Sequence, residues 1–265
     1  MIILKLGGSI LTKKDSVNPE IDYDNLNRIA SEIKRSLDKK HKELVIVHGA
    51  GSFGHPPAKK YGIGKEFKNS EYPEKRIGFS KTQNAVKKLN MEVCEVFTNN
   101  NLPVISLQPS TFISTSNGRI NIANLDFLKK YLKEGFIPIL YGDVVLDDDL
   151  KIVVLSGDQI IQYLAKNLNS DKIILGTDVD GVYNKNPKTN NDATFFKEFN
   201  SLDDLDSFDL TTNVDVTGGM LGKVKELLEL ADLGIESKII NIGKKDFVYK
   251  ALEDEDIKGT IISKK

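Results

Sequence analysis

The sequence predicts an α/β fold, a three-layer α/β/α sandwich with a central, mostly parallel sheet and added β-hairpins. Three observations predict it. Short runs of branched apolar residues recur along the chain, amphipathic helical patterns lie between them, and glycine-rich turns follow directly on several of the runs. Apolar residues at consecutive positions suit strands covered on both faces, and strands alternating with helices imply a parallel sheet.

The first run, residues 2–6, is a strand that ends in Lys5-Leu6-Gly7-Gly8-Ser9. A helix follows over 25–37, where Leu26, Ile29, Ala30, Ile33 and Leu37 share one face. The second strand, 44–47, runs into His48-Gly49-Ala50-Gly51-Ser52-Phe53-Gly54-His55. Residues 77–97 have helical spacing, and 104–107 and 137–140 are strands. Two hairpins interrupt the alternation, one over 113–122 around Asn117-Gly118 and one over 144–155 around Asp147-Asp148-Asp149. Strands at 173–175 and 239–240 complete the sheet, and 184–192, crowded with Asn, Lys and Pro, is a loop.

A chain of 265 residues is read as one domain, 1–265, with two lobes. Lys and Arg total 37 against 38 Asp and Glu, so no global positive charge points to nucleic acid or an anionic membrane. The single cysteine, Cys94, excludes an intrachain disulfide framework and suits a reducing compartment, so a cytoplasmic location is expected. No apolar run approaches the roughly 18 residues needed to cross a bilayer, and the opening residues are read as structure.

Any anion must therefore be held locally. Lys5 with Gly7, Gly8 and Ser9 can form a phosphate cradle, although a tight turn with Lys5 in solvent accounts equally well for the local sequence. The loop after the second strand is a stronger anion site, since its glycines sit at the carboxyl end of a strand and His55 can donate to a phosphate oxygen. Ser156-Gly157-Asp158 opens a predicted helix, where Ser156 or Asp158 can simply cap it or Asp158 can orient a lysine or a hydrated magnesium ion. Thr177-Asp178-Val179-Asp180-Gly181-Val182-Tyr183 lacks the spacing of a calcium loop and suits a nucleoside site better. Asp215-Val216-Thr217-Gly218-Gly219-Met220 leads into a helix carrying Lys223. Two glycine-rich cradles with Lys5, Lys223 and the pair Lys13 and Lys14 suit a phosphoryl donor and acceptor meeting across a cleft.

These motifs, in this order, resemble the amino-acid-kinase superfamily over almost the whole chain. Within it, the loop ending in His55-Pro56 and the Ser156-Gly157-Asp158 turn are similar to the archaeal isopentenyl phosphate kinases, which make isopentenyl diphosphate with MgATP. The resemblance implies ATP and Mg2+ as cofactors, with no metal site built from protein ligands. It implies that Lys5 and Lys223 neutralise the ATP phosphates, that Gly7, Gly8, Ser9 and Gly219 supply amides, and that Lys14 assists at the transferred group. His55 would bond the acceptor phosphate, Gly49, Ala50, Gly54 and Gly157 would line its cradle, Ala50 also touching ATP, and Asp158 would hold the lysines. Asp178, Tyr183, Asn184, Lys185, Asn186, Pro187 and Lys188 would border the adenosine. The lobe 1–155 would mainly hold the acceptor and 156–265 mainly ATP. Isopentenyl phosphate, with dimethylallyl phosphate as a second candidate, is the expected partner, and a homodimer the expected assembly.

A phosphate monoester has a second pKa of about 6, so it is largely dianionic at neutral pH and needs no general base. A donor such as His55 serves it better than a carboxylate. The prenyl tail needs an apolar pocket, for which 77–97 with Phe79, Val86, Leu89 and Val93 is the candidate wall, although the same spacing marks an ordinary core face. A carboxylate or nucleoside monophosphate kinase would keep the nucleotide half and change the acceptor loop, against which His55 and Phe53 argue; a non-catalytic nucleotide sensor is the other alternative, but it has no need of the full set of lysines.

Overall fold

The computed structural model describes residues 1–13, 19–201, 204 and 214–264; for 214–219 and 221 it describes the backbone helix and no side chains. In chain order the strands are β1 (Ile2–Leu6), β2 (Leu44–His48), β3 (Val104–Ser106), β4 (Ile113–Ser116), β5 (Arg119–Ala123), β6 (Ile137–Tyr141), β7 (Asp143–Asp147), β8 (Lys151–Leu155), β9 (Lys172–Thr177), β10 (Val182–Tyr183), β11 (Phe195–Phe196), β12 (Glu198–Phe199), β13 (Glu236–Asn241) and β14 (Gly259–Ile262). The helices are α1 (Gly8–Leu11), α2 (Tyr23–Lys39), α3 (Gly51–Lys60), α4 (Tyr72–Asn99), α5 (Asp126–Lys133), α6 (Gly157–Asn167), α7 (Val214–Ala231) and α8 (Phe247–Leu252).

The central sheet runs β12-β14-β13-β9-β1-β2-β6-β3. β1 lies in the middle, parallel to both neighbours, with Leu4 opposite Ile46 and Ile174. Only the β13–β14 pair is antiparallel, and β12 pairs parallel with β14, so these two edge strands run opposite to the rest. Because side chains alternate along a strand, the consecutive apolar runs feed two cores. Ile3, Val45, Val47, Leu140 and Leu175 pack with Ile161 and Leu164 of α6 and Leu227 of α7 on one face. Leu4, Ile46, Ile139 and Ile174 pack with Ile29 of α2, Leu89 and Phe97 of α4 and Val248 of α8 on the other. The expected three layers result.

Local chemistry sets the helix ends. The Asp22 carboxylate accepts the Asn25 N–H at 3.0 Å and caps α2. Within α2, the buried Glu32 takes the N–H groups of Asp246, Val248 and Tyr249 at 2.9, 3.0 and 3.2 Å, so it closes the start of α8 from another helix.

The two expected hairpins form, and they share one sheet of order β5-β4-β7-β8. Asp147 joins them: it accepts the Thr115 hydroxyl at 2.7 Å and the N–H groups of Gly118, Asp149 and Leu150 at 2.8, 3.0 and 2.7 Å. Although burial works to raise its pKa, those four donors hold the Asp147 carboxyl down to about 2.

One local expectation needs correction. The glycine-rich stretch after β2 is a loop only to Ala50, since α3 starts at Gly51 and carries Gly54 and His55 within it. Pro56 and Pro57 sit inside this helix and withdraw the donors that the Ser52 and Phe53 carbonyls would otherwise receive. Similarly, the turn after β1 closes into the short helix α1.

Candidate active site

The carboxyl ends of β1, β2 and β9 open onto a cleft of about 650 Å³. Parallel strands end there together, so residues remote in sequence meet. Lys5, at the end of β1, is buried, with 8% of its surface exposed, and forms an ion pair with Asp158 in the first turn of α6. The other oxygen of Asp158 lies 3.4 Å from the Lys223 ammonium of α7. Burial pushes Lys5 below the usual lysine range, and the Asp158 charge opposes that shift. Burial acts to raise Asp158, yet the charges of Lys5 and Lys223 outweigh it and hold the carboxyl below its usual range. The Ser156 hydroxyl accepts the Gln159 N–H at 3.2 Å and caps α6, which leaves Asp158 to the lysines.

Opposite stand Gly49, Ala50, Gly51, Ser52, Gly54 and His55. Among the described residues, no backbone acceptor takes the N–H of Ala50, and the Ser52 hydroxyl is buried without a hydrogen-bond partner. A buried hydroxyl beside free amides at a helix start is a donor set that suits an anion. His55 is exposed on the cleft wall.

The two cradles touch. A Cβ added to Gly8 would lie 2.6 Å from both the Cα and N of Gly51. Glycine at position 8 is thus what lets the loops after β1 and β2 abut without a side chain between them.

Beyond His55 the wall turns apolar, formed by Ala58, Val86, Val144 and Val154. Helix α4 divides its duties here. Val86 and Thr82 reach the cleft, whereas Leu89 and Val93, one and two turns on, belong to the core under the sheet. Phe79 packs instead with Ala58, Ile63, Val144 and Ile152 behind the wall.

Of the residues singled out from sequence, Lys5, Gly7, Gly8, Ser9, Gly49, Ala50, Gly54, His55, Gly157, Asp158, Asp178 and Lys223 line this one cleft. Tyr183 and residues 184–188 do not line it; they border it through the Lys188 ammonium, 2.5 Å from Asp178, and Tyr183 bonds Lys258 at 3.3 Å. Lys13 is paired with Glu20 away from the cleft. Lys14 lies outside the described residues, and the stretch 215–220, expected to lead into a helix, is already inside it: the α7 backbone starts at Val214, so the Gly219 amide is not at a free helix start.

Thr12 is a cleft residue that no motif pointed to, and Gly142 and Asp143 stood in the motif Tyr141-Gly142-Asp143 without a site role. Asp143 accepts the N–H groups of Ser110 and Val144 at 3.1 and 2.8 Å, and burial pushes its carboxyl above the usual range. Its only signal was its place in Tyr141-Gly142-Asp143 at the end of a buried strand.

The chain matches the model of the amino acid kinase family over residues 1–241. It is 52% identical to the isopentenyl phosphate kinase of Methanothermobacter thermautotrophicus, over 100% of both chains. It is 38% identical to that of Methanocaldococcus jannaschii, over 99% of this chain and 98% of the relative. A solved isopentenyl phosphate kinase structure superposes with a TM-score of 0.89 at 48% identity, covering 99% of this chain and 100% of its own.

Proposed function

The chain belongs to the amino acid kinase family, and from that premise we propose that it phosphorylates isopentenyl phosphate to isopentenyl diphosphate with ATP. The observation that carries the acceptor is the junction of His55 and the free amides at the start of α3 with the apolar wall of Ala58, Val86, Val144 and Val154. A phosphate head fits the first and a short hydrocarbon tail the second.

The carboxylates of the cleft support the same choice. Asp158 is engaged by two lysines, and both oxygens of Asp143 already accept backbone N–H groups. Neither is placed as a general base, and a phosphate acceptor requires none. In the transfer, an acceptor phosphate oxygen bonds to the transferred phosphoryl group as the bond to ADP breaks. Lys5 and Lys223 neutralise the charge spread over that group, with Asp158 fixing their positions. Gly8 and Ser9, in the first turn of α1, offer amides on the nucleotide side, whereas the Gly7 N–H is taken by the Gly176 carbonyl at 3.0 Å and Gly219 lies inside α7; Lys14 assists at the transferred group. His55 donates to the acceptor phosphate, which lowers the cost of bringing two polyanions together. Asp178, Tyr183 and the segment 184–188 border the adenosine.

Mg2+ is the ion we assign to the nucleotide. Phosphate oxygens and water would be its main ligands. Dimethylallyl phosphate is a second acceptor of the same head group. We assign the acceptor mainly to residues 1–155 and ATP mainly to 156–265 of one domain, working as a homodimer in the cytoplasm; among the described residues no helix is long and apolar enough to cross a membrane.

The test is 31P NMR of the protein with MgATP and isopentenyl phosphate. Conversion of the monophosphate singlet into two coupled diphosphate resonances is expected. A singlet that persists while the protein is folded would refute the assignment.

A further inference from the structure

His48 precedes the acceptor loop, is fully buried, and has no part in the chemistry above. Its Nδ1 lies 2.9 Å from the Gly49 carbonyl oxygen. A carbonyl can only accept, so Nδ1 carries the proton, and Nε2 accepts the Asn90 amide at 3.1 Å. The Asn90 side-chain oxygen in turn accepts the Ser106 hydroxyl at 2.5 Å, and Tyr141 stacks on the imidazole with ring centroids 5.4 Å apart. Burial lowers the imidazole pKa to about 4, so the ring is neutral near pH 7. Both nitrogens and one face are thereby committed.

The consequence lies in the next peptide. The Gly49 carbonyl and the Ala50 N–H share one trans peptide plane and point in opposite directions. With the carbonyl held inward by His48, the Ala50 N–H is turned to the side of the cleft that Ala50 lines, where no described backbone group accepts it. Two further bonds hold the same stretch, Gly49 N–H to Leu6 O and Gly142 N–H to His48 O, both 3.0 Å. A glycine at position 49 would otherwise let this peptide turn over and present a carbonyl oxygen to the anion.

We propose that His48 is a positioning residue: its Nδ1–H locks the Gly49–Ala50 peptide so that the Ala50 N–H is offered to the acceptor phosphate. The inference rests on the reading of this loop as the acceptor-phosphate site. Through Asn90 it also ties the loop to α4, the helix whose Thr82 and Val86 face the cleft.

Two substitutions separate the nitrogens. In His48→Asn the side-chain NH2 is as far from Cβ as Nδ1 is, so the bond to Gly49 O is retained. In His48→Gln it is as far as Nε2, so that bond is lost. Both variants remove the ring and share its packing cost. Loss of one charge-assisted hydrogen bond at the phosphate is expected to raise KM for isopentenyl phosphate about tenfold in His48→Gln and less than about threefold in His48→Asn. KM for ATP is expected to be unchanged in both. Equal KM values for the acceptor in the two variants, or a matching rise in KM for ATP, would overturn the proposal.

A second measurement needs no variant. Wild-type protein labelled with 15N-alanine is titrated with inorganic phosphate, and the Ala50 amide resonance is expected to move downfield. An Ala50 resonance unmoved at saturating phosphate overturns the proposal. A wild type that binds phosphate at Ala50 but does not turn over isopentenyl phosphate would sink the functional assignment and leave this one standing.

Discussion

Gly8→Ala tests whether contact between the two cradles matters for transfer. Gly8 is the first residue of α1, where alanine is conformationally welcome, so the substitution acts through space. The added Cβ would stand 2.6 Å from Gly51 Cα and N, short of ordinary contact, which begins at 3.4 Å. The neighbours are backbone atoms on both sides, so the loops must separate by about 0.8 Å to restore contact, a shift close to the 1 Å that costs about 100-fold in rate when reacting groups are misplaced. Stability should fall by about 1–3 kcal/mol, the usual cost of overpacking, or a few degrees of Tm in a chain of this size. The assay is kcat with both substrates saturating, alongside Tm. Gly222→Ala is the control: nothing lies within 4 Å of its added Cβ, so kcat should hold while the helix gains up to about 1 kcal/mol. A folded Gly8→Ala enzyme with kcat within about threefold of wild type would refute the reasoning, since a misplacement on this scale predicts far more.

Three further outcomes are expected. His55→Gln should retain part of the activity through its amide donor, and His55→Ala should lose about 100-fold or more in kcat/KM; full activity in both would remove His55 from the acceptor site. Asp158→Asn leaves the buried Lys5 without its counter-charge, so urea denaturation at pH 7 should show a loss of about 2–4 kcal/mol together with a fall in kcat, whereas unchanged stability would mean that the pair contributes nothing net. Asp147→Asn tests the hairpin junction by its pH dependence. The folded pKa of Asp147 is about 2, below its ordinary value of 3.8, so its stabilisation is present above the unfolded value and is lost as pH falls through the folded one. The Tm gap between wild type and variant should be widest near pH 7 and narrow between about pH 4 and pH 2; a gap constant across that window would contradict the assignment.

Legibility followed the range of the interactions. The buried strands were plain, because a parallel strand covered on both faces must be apolar at consecutive positions, as residues 44–47 and 173–175 are. Strands β10, β11 and β12, two residues each, carry no period to read. The cradles were legible as glycine clusters, but their contact at Gly8 and Gly51 was not, since nothing local encodes which loops meet. Lys5 and Asp158 were each visible, yet the pairing spans 153 residues and exists only because β1 ends and α6 begins at one side of the sheet. Helix α3 was hidden by its own composition, as glycines and the pair Pro56-Pro57 argue against a helix that the fold nevertheless closes around His55. Asp143 lies just past the strand 137–140, and only the folded cleft shows what it faces.

The most direct test of the central claim supplies MgATP with isopentenyl phosphate, dimethylallyl phosphate, glutamate and uridine monophosphate in parallel and follows ADP release. A cleft joining a phosphate cradle to an apolar wall predicts selective turnover of the two prenyl monophosphates. Preferential turnover of glutamate or uridine monophosphate would contradict it.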